Sequence, residues 1–321
     1  MKSEVLDKEN TPINVAFFGT SDRSIPILES LKESFNLNLV VTKTDTKVGR
    51  KQVLRSTAVK KWAQKNKVNY IEIESTKDED KKNIIKHLKV CKSEIGVVAD
   101  FSFMIPQEVL NTPKHGLLNI HFSLLPKYRG ASPVQFAILN NDKKTGFTIY
   151  KMDKGMDTGE ILYQEEYLLQ GTETSGELYE ILFYRSAMAI PQVILGYISG
   201  SLALSKQLEE HSSYTYSKTH SKHTFIYKED AKINWSETNK SIEQQIRAFH
   251  PWPIAWTTLE EFASRKDLKL NLKDTVDKSL RVKVYTAHME ARKLKIDKLQ
   301  IEGKQIIGWD DFLNGYTKKV M

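Results

Sequence analysis

Residues 13–18 read INVAFF, an uninterrupted apolar run that continues as GTSD. Such a run, followed by a tight turn, is typical of a strand buried on both faces of a sheet. After the turn, Ile25, Leu28 and Leu31 follow the spacing of an amphipathic helix. The stretch therefore predicts a β-strand that leads through a turn into a helix, the unit from which parallel sheets are built.

The same unit recurs along the chain. Helical stretches, such as the one predicted at 57–66, separate further short apolar runs, which lie at 37–42, 69–73, 95–99 and 116–121. We therefore predict an α/β fold with a Rossmann-like, mostly parallel sheet and helices on both faces. The first turn, FGTSD, lacks the G-x-G-x-x-G pattern, so the sequence does not support a dinucleotide site at the first helix.

The composition is that of an ordinary globular protein. The chain has 321 residues, 40% of them hydrophobic, and its 48 Lys and Arg against 40 Asp and Glu give a formal net charge of +8. A single cysteine, Cys91, excludes an intramolecular disulfide framework and a cysteine-based zinc site. The polar N-terminus, MKSEVLDKENTP, resembles neither a secretory signal nor a transit peptide. We expect a cytoplasmic protein.

One segment, between Arg185 and Lys206, contains no charged residue. It includes Pro191, Gly196 and Gly200 together with four serines, which makes it too polar and too interrupted for a membrane-spanning helix. We interpret it as a buried helix that runs into a turn, and we expect no association with a membrane.

Basic residues are concentrated in two regions. Residues 43–67 contain nine basic residues against one acid, Asp45, and residues 211–321 contain 20 against 14. Two basic regions far apart in sequence indicate contact with a polyanion that touches both parts of the molecule. The alternative is a solvated lysine-rich surface, and charge alone does not decide between the two.

The C-terminal third has a different pattern. Residues 209–223 are polar with little periodicity and predict a linker. Beyond them, a helix at 241–249 precedes alternating strands at 281–288 and 294–303, which is typical of a small β-barrel of the OB type that binds nucleic acids. The predicted domains are therefore 1–208 and 224–321.

The densest cluster of chemically useful residues is 116–135, GLLNIHFSLLPKYRGASPVQ. Asn119 and His121 are two residues apart on a predicted strand, so they project to one face near its carboxyl end, where open α/β sheets bind ligands. A second cluster, MDKGMDTG at 152–159, places Asp157 in a glycine-flanked loop after the strand predicted at 146–152.

An amide, an imidazole and a carboxylate at strand ends suit proton transfer and the stabilisation of an oxyanion. The alternative is a buried, hydrogen-bonded histidine with a helix-capping aspartate. For His121 alone that alternative is the better interpretation. The combination of Asn119, His121 and Asp157 favours a catalytic site.

With these motifs the chain resembles the methionyl-tRNA formyltransferases, which belong to the 10-formyltetrahydrofolate-dependent formyltransferase superfamily. The resemblance extends over essentially the whole length. It is carried by FFGTSD (17–22), NIHFSLLPKYRGASPVQ (119–135), TGFTIYKMDKGMDTGEIL (145–162), AKINW (231–235) and IRAFHPWPIAW (246–256).

The resemblance implies a formyltransferase fold in the first domain and a tRNA-binding C-terminal domain. It implies the catalytic residues Asn119, His121 and Asp157, with 10-formyltetrahydrofolate as co-substrate, tetrahydrofolate as product and no metal. The acceptor would be charged initiator methionyl-tRNA, and the protein would act as a monomer in a bacterial-type cytoplasm.

The resemblance also implies two sets of binding residues. Folate would contact the loop SLLP, which is Ser123, Leu124, Leu125 and Pro126, together with Phe101 and Met104. The acceptor stem of the tRNA would contact the basic segment VGRKQVLRSTAVK (48–60) and its neighbourhood, through Lys47, Arg50, Lys51 and Arg55.

Three features depart from the family pattern. Arg23 stands where the family has an aromatic or apolar residue, and Asp100-Phe101-Ser102 replaces a usual Ala-Tyr/Phe-Gly. The C-terminal domain is shortened between His288 and Lys293. Two alternatives stay open: an N-formyltransferase acting on an amino-sugar nucleotide, which would not need the basic segment, and a catalytically inactive tRNA-binding relative.

Overall fold

The computed structural model describes residues 12–48, 52–265, 268 and 270–318. It divides into two compact units. The first unit takes in the described residues up to Arg129 together with Gly146–Tyr167 and Tyr179–Ser213. The second takes in Gly130–Thr145, Leu168–Leu178 and the described residues from Tyr214 onward. The predicted limits at 208 and 224 stay a prediction.

Strands and helices alternate through the first two thirds of the chain. In order they are β1 (Asn14–Phe18), α1 (Ile25–Ser34), β2 (Asn36–Lys43), β3 (Thr46–Val48), β4 (Val53–Arg55), α2 (Ala58–Asn66), β5 (Tyr70–Ile73), α3 (Asp78–Val90), β6 (Ile95–Val98), α4 (Gln107–Leu110), β7 (Leu117–His121), α5 (Pro133–Leu139), β8 (Lys144–Lys151), β9 (Ile161–Leu168) and α6 (Ser175–Ser199).

A seven-stranded sheet has the order β5-β2-β1-β6-β7-β8-β9. The strands from β5 to β7 run parallel, and β8 pairs antiparallel with β7. The predicted α/β fold is confirmed, and each of the five apolar runs forms a strand within one or two residues of its predicted limits. The predicted helix at 57–66 is α2, whose first turn is capped by the Thr57 side chain accepting from the Lys60 amide.

The apolar runs form strands because both faces of the sheet are covered. On one face Ala16, Phe18 and Val41 belong to a cluster with Ile84 of α3 and Val109 of α4. Residues between them in β1, such as Val15 and Phe17, are completely buried as well. A strand covered on both faces cannot alternate polar with apolar residues, which explains the continuous INVAFF pattern.

Helix α6 explains the segment without charges. By length and composition it is, in the described part of the chain, the one helix that would qualify to cross a membrane, and 44% of its most apolar window is buried inside the protein. Its residues Leu182, Phe183 and Ile194 are completely or almost completely buried. The Phe183 ring lies 4.1 Å from that of Phe122, so the part of this helix from Tyr179 onward packs within the first unit.

The second unit contains an antiparallel sheet of order β10-β11-β12-β13. Its elements after α6 are α7 (Asn239–Ala248), β10 (Ala255–Thr258), α8 (Leu259–Ser264), β11 (Arg281–Glu290), β12 (Lys293–Ile301), β13 (Ile306–Gly308) and α9 (Trp309–Tyr316). Register irregularities bend β11 against β12 after Val284, as strands of small barrels do. The predicted strands and helix of this region are confirmed.

The stretch between His288 and Lys293, predicted to be shortened, is a tight hairpin. Glu290 pairs with Lys293, and the two residues between them, Ala291 and Arg292, both have positive φ. The core beneath this hairpin includes Val282, Leu294 and Ile296. The two-residue turn therefore connects β11 directly to β12.

Candidate active site

The first two predicted residues lie side by side at the end of β7. Asn119 is in register with Val98 on one side and with Tyr150 on the other, and His121 is the last residue of the strand. The chain leaves β7 at the carboxyl edge of the parallel strands, where ligands of α/β proteins bind. The structure therefore places Asn119 and His121 where the sequence predicted them.

His121 is held between a carbonyl group and a carboxylate. Its Nε2 lies 2.9 Å from the carbonyl oxygen of Tyr128, and its Nδ1 lies 3.6 Å from Oδ2 of Asp157. A carbonyl oxygen only accepts, so Nε2 donates to it. Nδ1 is thus the ring nitrogen that faces Asp157. The two side chains are only 6% and 15% exposed.

Asp157 occupies an unusual backbone conformation. Its φ is +56°, in the left-handed region, which aspartate tolerates better than most residues. Gly159 follows where the chain crosses β8: a Cβ there would lie 1.9 Å from the Lys151 carbonyl oxygen. This close approach requires glycine. The GMDTG pattern thus fixes the loop that brings Asp157 to His121.

Tyr150 joins two of the predicted residues. Its hydroxyl accepts from Nδ2 of Asn119 at 3.1 Å and donates to Oδ1 of Asp157 at 2.7 Å. Burial, with the Asp157 carboxylate beside it, raises the pKa of Tyr150 far above the ordinary tyrosine value. The raised pKa favours the protonated hydroxyl, which is the form that donates to Asp157.

A buried arginine supports the Asp157 loop. The Arg129 side chain is completely buried, and its guanidinium donates to Oε1 of Gln207 and to both carboxylate oxygens of Glu209. The Gln207 amide nitrogen in turn donates to the carbonyl oxygens of Asp157 and Gly159, at 2.8 Å each. Arg129 therefore orients the glutamine that holds the loop.

The loop after β7 carries four of the residues predicted to bind folate. Ser123 is completely buried and its hydroxyl donates to the Lys127 carbonyl oxygen at 2.6 Å, and the Leu125 amide donates to Thr148 at 3.1 Å. The first bond closes the loop on itself and the second ties it to β8, with Leu124 and Pro126 half-buried. The side chains of Ser123 and Leu125 are therefore buried, and Leu124 and Pro126 are the more accessible part of the loop.

The loop after β6 carries the other two. Phe101 makes edge-to-face contacts with Phe18 and Phe103 at ring distances of 5.6 and 5.5 Å. Met104 is 63% exposed, and its carbonyl oxygen accepts from the Thr76 hydroxyl. Aromatic and thioether side chains beside an ordered backbone suit a flat heteroaromatic ring such as a pterin.

Two of the residues that depart from the family pattern contact each other. A guanidinium nitrogen of Arg23 lies 2.8 Å from a carboxylate oxygen of Asp100, and the guanidinium lies 4.2 Å from the centre of the Tyr179 ring. The two charged side chains are 38% and 37% exposed. The positive charge of Arg23 and the negative charge of Asp100 are thus in contact with each other.

The described part of the basic segment on either side of residues 49–51 contains two short paired strands. Strands β3 and β4 pair antiparallel, with Lys47 opposite Leu54 and Arg55 opposite Thr46. Lys47 and Arg55 are exposed. The predicted tRNA contacts Arg50 and Lys51 lie outside the described residues. Another member of the run, Lys60, is engaged within the fold, where its ammonium contacts Asp45 at 2.9 Å and Glu72 at 3.0 Å.

Sequence reasoning did not identify Tyr150, Gln207 or Glu209. Tyr150 faces Asn119 through the register of an antiparallel pair, whereas Gln207 and Glu209 reach Arg129 from 78 and 80 residues away. The available signal for Tyr150 was its place in GFTIYKM, directly before the loop of Asp157. Among the described residues, no group of three or more His, Cys, Asp or Glu side chains is placed to hold a metal ion.

Sequence comparisons show the family to which the chain belongs. A family model described as formyl transferase matches residues 13–194, and one described as formyl transferase, C-terminal domain, matches residues 225–317. A methionyl-tRNA formyltransferase of Bacillus cytotoxicus is 36% identical over 248 residues, which are 77% of this chain and 76% of the relative. One of Bacillus thuringiensis subsp. konkukian has the same identity and coverage.

Solved structures share the fold at lower identity. A methionyl-tRNA formyltransferase from Clostridium thermocellum superposes with a TM-score of 0.55 at 19% identity, covering 90% of this chain and 98% of that chain. An N-formyltransferase from Helicobacter canadensis, solved with folinic acid and dTDP-3-aminofucose, superposes with a TM-score of 0.59 at 22% identity, covering 92% and 98%. These structures therefore indicate the common fold and do not separate the acceptors.

Proposed function

The chain belongs to the formyl transferase family, and from this premise we propose that it transfers the formyl group of 10-formyltetrahydrofolate to the α-amine of charged initiator methionyl-tRNA. The product would be N-formylmethionyl-tRNA for translation initiation. The similarity to methionyl-tRNA formyltransferases over three quarters of the chain supports this acceptor. The meeting of Asn119, His121 and Asp157 at one end of β7 is the structural observation that carries the chemistry.

The proposed reaction begins with attack of the neutral α-amine on the formyl carbon. An ordinary α-amino group has a pKa near 8, so a useful fraction is neutral at pH 7. The attack forms a C–N bond and turns the formyl oxygen into an oxyanion. Asn119 gives one amide N–H to Tyr150, and a primary amide carries two, so the second is proposed to stabilise the oxyanion.

Collapse of the intermediate breaks the bond between the formyl carbon and N10 of folate. N10 is a poor anionic leaving group and has to receive a proton, while the attacking nitrogen loses one. We assign the proton transfer to Nδ1 of His121, because Nε2 donates to the Tyr128 carbonyl oxygen. Nδ1 takes the proton from the attacking nitrogen and passes it to N10, with Asp157 stabilising the charged ring. The 3.6 Å between them is longer than a hydrogen bond, so a bridging water or a small closure on substrate binding completes the contact.

The folate donor is proposed to lie across the loops after β6 and β7. Phe101 and Met104 would supply the apolar contacts, and the segment from Ser123 to Pro126 would supply backbone groups. The reaction as written balances without a metal ion. Binding of tetrahydrofolate and the absence of a metal requirement are parts of this proposal.

The tRNA is proposed to contact the β3–β4 hairpin. Lys47 and Arg55 are exposed there, and Val53 and Leu54 are 52% and 61% exposed, which is unusual for aliphatic side chains on a short strand. Basic residues that neutralise phosphates together with apolar residues that contact bases suit the open end of an acceptor stem. The 20 basic residues after position 210 suit a second contact.

The alternative acceptor is an amino-sugar nucleotide, and the alternative activity is tRNA binding without catalysis. The hairpin favours tRNA over a small acceptor, and the arrangement of Asn119, His121 and Asp157 favours catalysis. A soluble, monomeric protein of the bacterial cytoplasm is the form in which we expect the enzyme to act.

The proposal is tested by formyl transfer from 10-formyltetrahydrofolate to charged initiator tRNA, charged elongator methionine tRNA and an amino-sugar nucleotide. Transfer with a preference for the initiator tRNA is expected. Transfer to the sugar nucleotide instead would replace the proposed acceptor. Tight tRNA binding without any transfer would establish the inactive relative.

The tRNA surface is tested separately by neutralising Arg50 and Lys51. Because phosphate contacts position the tRNA without touching the reacting atoms, kcat/KM for charged tRNA should fall while the Kd for the folate donor stays constant. The slope of log Kd for tRNA against log salt should flatten by about 0.7–0.9 for each lost contact. If Arg50 also contacts bases, Arg50→Ala narrows the preference for initiator tRNA, whereas Lys51→Ala weakens both tRNAs alike.

A matched control removes two charges elsewhere. Lys82 and Lys86 are exposed on α3, so Lys82→Ala/Lys86→Ala changes the net charge equally. This control should leave the tRNA kinetics unchanged apart from a weak long-range effect. Equal losses of kcat/KM for charged tRNA in both double variants would favour the alternative, in which the hairpin is a solvated surface.

A further inference from the structure

Tyr150 occupies the centre of the candidate site without being one of its predicted catalytic residues. It lies on β8 directly opposite Asn119 on β7, and it is 2% exposed. Its hydroxyl is within 3.1 Å of Asn119 and 2.7 Å of Asp157. One oxygen atom thus bridges the amide proposed to stabilise the oxyanion and the carboxylate proposed to stabilise the charged form of His121.

The directions of these two hydrogen bonds are fixed by chemistry. An ionised carboxylate only accepts, so the hydroxyl proton of Tyr150 points to Asp157. The lone pairs of the same oxygen then accept from Asn119, which must turn its NH2 group rather than its carbonyl oxygen toward Tyr150. The bridge therefore selects one of the two amide orientations of Asn119.

That orientation matters because the two ends of an amide are nearly equal in shape and opposite in function. An NH2 group beside the reacting carbon stabilises an oxyanion, whereas a carbonyl oxygen in the same place repels it. The same bridge restrains Oδ1 of Asp157, so that Oδ2 is the oxygen that faces Nδ1 of His121. A phenyl ring in place of the phenol would fill the same space and release both restraints.

We propose that Tyr150 is a positioning residue for formyl transfer, which sets the orientation of the Asn119 amide and of the Asp157 carboxylate through its single hydroxyl. This inference rests on the proposed function, because it takes the catalytic roles of both side chains from it. Tyr150 touches neither substrate in this assignment. Its raised pKa agrees with a permanent donor to Asp157.

The test compares Tyr150→Phe with the wild-type enzyme under saturating and limiting substrate. We expect kcat to fall about tenfold or more, because a transition-state contact is misaligned. The KM values for methionyl-tRNA and for the folate donor should change by less than about twofold. The matched control is Tyr163→Phe on β9, which removes a tyrosine hydroxyl that donates to Glu165 at 3.2 Å, and it should keep kcat.

A double-mutant cycle with Asn119→Ala distinguishes positioning from loss of stability. If Tyr150 acts through Asn119, Tyr150→Phe lowers kcat by a clearly smaller factor in the Asn119→Ala background than in the wild type. Two outcomes would overturn the inference. One is a double variant whose loss of kcat equals the product of the two single losses. The other is a Tyr150→Phe enzyme with kcat within about twofold of wild type. Unfolding in urea is measured for each variant alongside.

Further variants cover the case in which Tyr150→Phe does not fold well enough to assay. Tyr150→His keeps one donor and one acceptor, whereas Tyr150→Leu keeps neither, so a higher kcat for the histidine variant supports the bridge and equal values overturn it. All ratios are taken to the wild-type rate in the same assay. Wild-type transfer to an amino-sugar nucleotide alone would contradict the proposed acceptor, while the same ratios measured with that acceptor would still test Tyr150.

Discussion

Two groups of ionisable side chains at the carboxyl edge of the seven-stranded sheet differ in how they are enclosed. His121 and Asp157 are 6% and 15% exposed, and the bridge through Tyr150 is almost completely buried. The Arg23–Asp100 pair, at the ends of β1 and β6, is 38% and 37% exposed. An enclosed charge is weakly screened and keeps its geometry, whereas a pair in contact with water is screened and exchanges partners.

This difference shows that a close contact between opposite charges does not by itself fix the geometry of the pair. The distance between Arg23 and Asp100 is 2.8 Å, shorter than the 3.6 Å between His121 and Asp157. The shorter contact nevertheless has fewer restraints, because solvent competes for both partners. We therefore expect substitutions in the enclosed group to act on the reaction rate and substitutions in the exposed pair to have small effects throughout.

The largest expected effect is the loss of a catalytic side chain from the enclosed group. His121→Ala and Asn119→Ala should each lower kcat by about 100-fold or more, because each removes stabilisation of the transition state. Asp157→Asn should be at least as damaging with the fold intact, since an uncharged amide cannot stabilise the charged form of His121. Single-turnover kinetics, started from a preformed complex of enzyme and donor, measure the rate of the chemical step directly.

The fold of these variants is checked by urea unfolding and by the Kd for tetrahydrofolate. Both should stay near the wild-type values for Asp157→Asn. A near-normal kcat in the His121 or Asn119 variant would contradict the roles assigned to these residues and would favour the interpretation of His121 as a buried structural histidine.

An intermediate effect is expected one step away from the reacting groups, at Arg129. Arg129→Met removes the buried guanidinium that orients Gln207, so the Asp157 loop should loosen. Hydrogen bonds from a charged donor contribute about 1.5–3 kcal/mol each at most, so we expect a loss of about 1–3 kcal/mol in the free energy of unfolding. The rate constant kcat should fall several-fold to about tenfold, measured in the same formyl-transfer assay.

Arg185→Met is the matched control for this variant. Arg185 contacts Glu165 at 3.0 Å with a side chain that is 42% exposed, so the same substitution removes a surface pair. Its loss should cost less than about 1 kcal/mol and leave kcat unchanged. Because Glu209 is 69% exposed, the two pairs differ in the burial of the arginine, and equal effects of both variants would show that this burial does not decide its contribution.

The parts of the molecule that sequence predicted are those specified by local patterns. The INVAFF run specifies a two-sided buried strand whatever its neighbours are, and the structure confirms it as β1. The GMDTG loop likewise specifies its own backbone, through the positive φ of Asp157 and the close approach at Gly159. In both cases neighbouring residues carry the information.

The missed parts depend on register and on distant contacts. Tyr150 meets Asn119 because β8 returns antiparallel beside β7, and a shift of one residue would turn its side chain to the other face. Glu209 fell in a segment predicted to be a linker, yet it pairs with Arg129 across 80 residues. No local periodicity reports a partner at that distance. The pairing of Arg23 with Asp100 was hidden in the same way.

The smallest expected effect is the removal of the exposed pair. Arg23→Gln, Asp100→Asn and the double variant form a cycle in which Asp100→Asn keeps a residue type that tolerates the positive φ of this position, +49°. The coupling free energy from urea unfolding should be below about 1 kcal/mol and should shrink further when salt is raised to about 0.5 M. The KM for the folate donor should change by less than about fivefold, the equivalent of that energy.

A larger coupling free energy between Arg23 and Asp100 would contradict the distinction between an enclosed group and an exposed pair. Arg23 also lies over the ring of Tyr179 at 4.2 Å, so Arg23→Gln removes a cation–π contact that Asp100→Asn leaves in place. If the free energies of unfolding of the two single variants differ only by that contact, the Asp100 variant is the more stable by about 0.5–1 kcal/mol. The pair is then a weak surface contact. A coupling above about 2 kcal/mol that persists in high salt would mean that the pair is enclosed in solution, and that both ends of the sheet edge are built to fixed geometry.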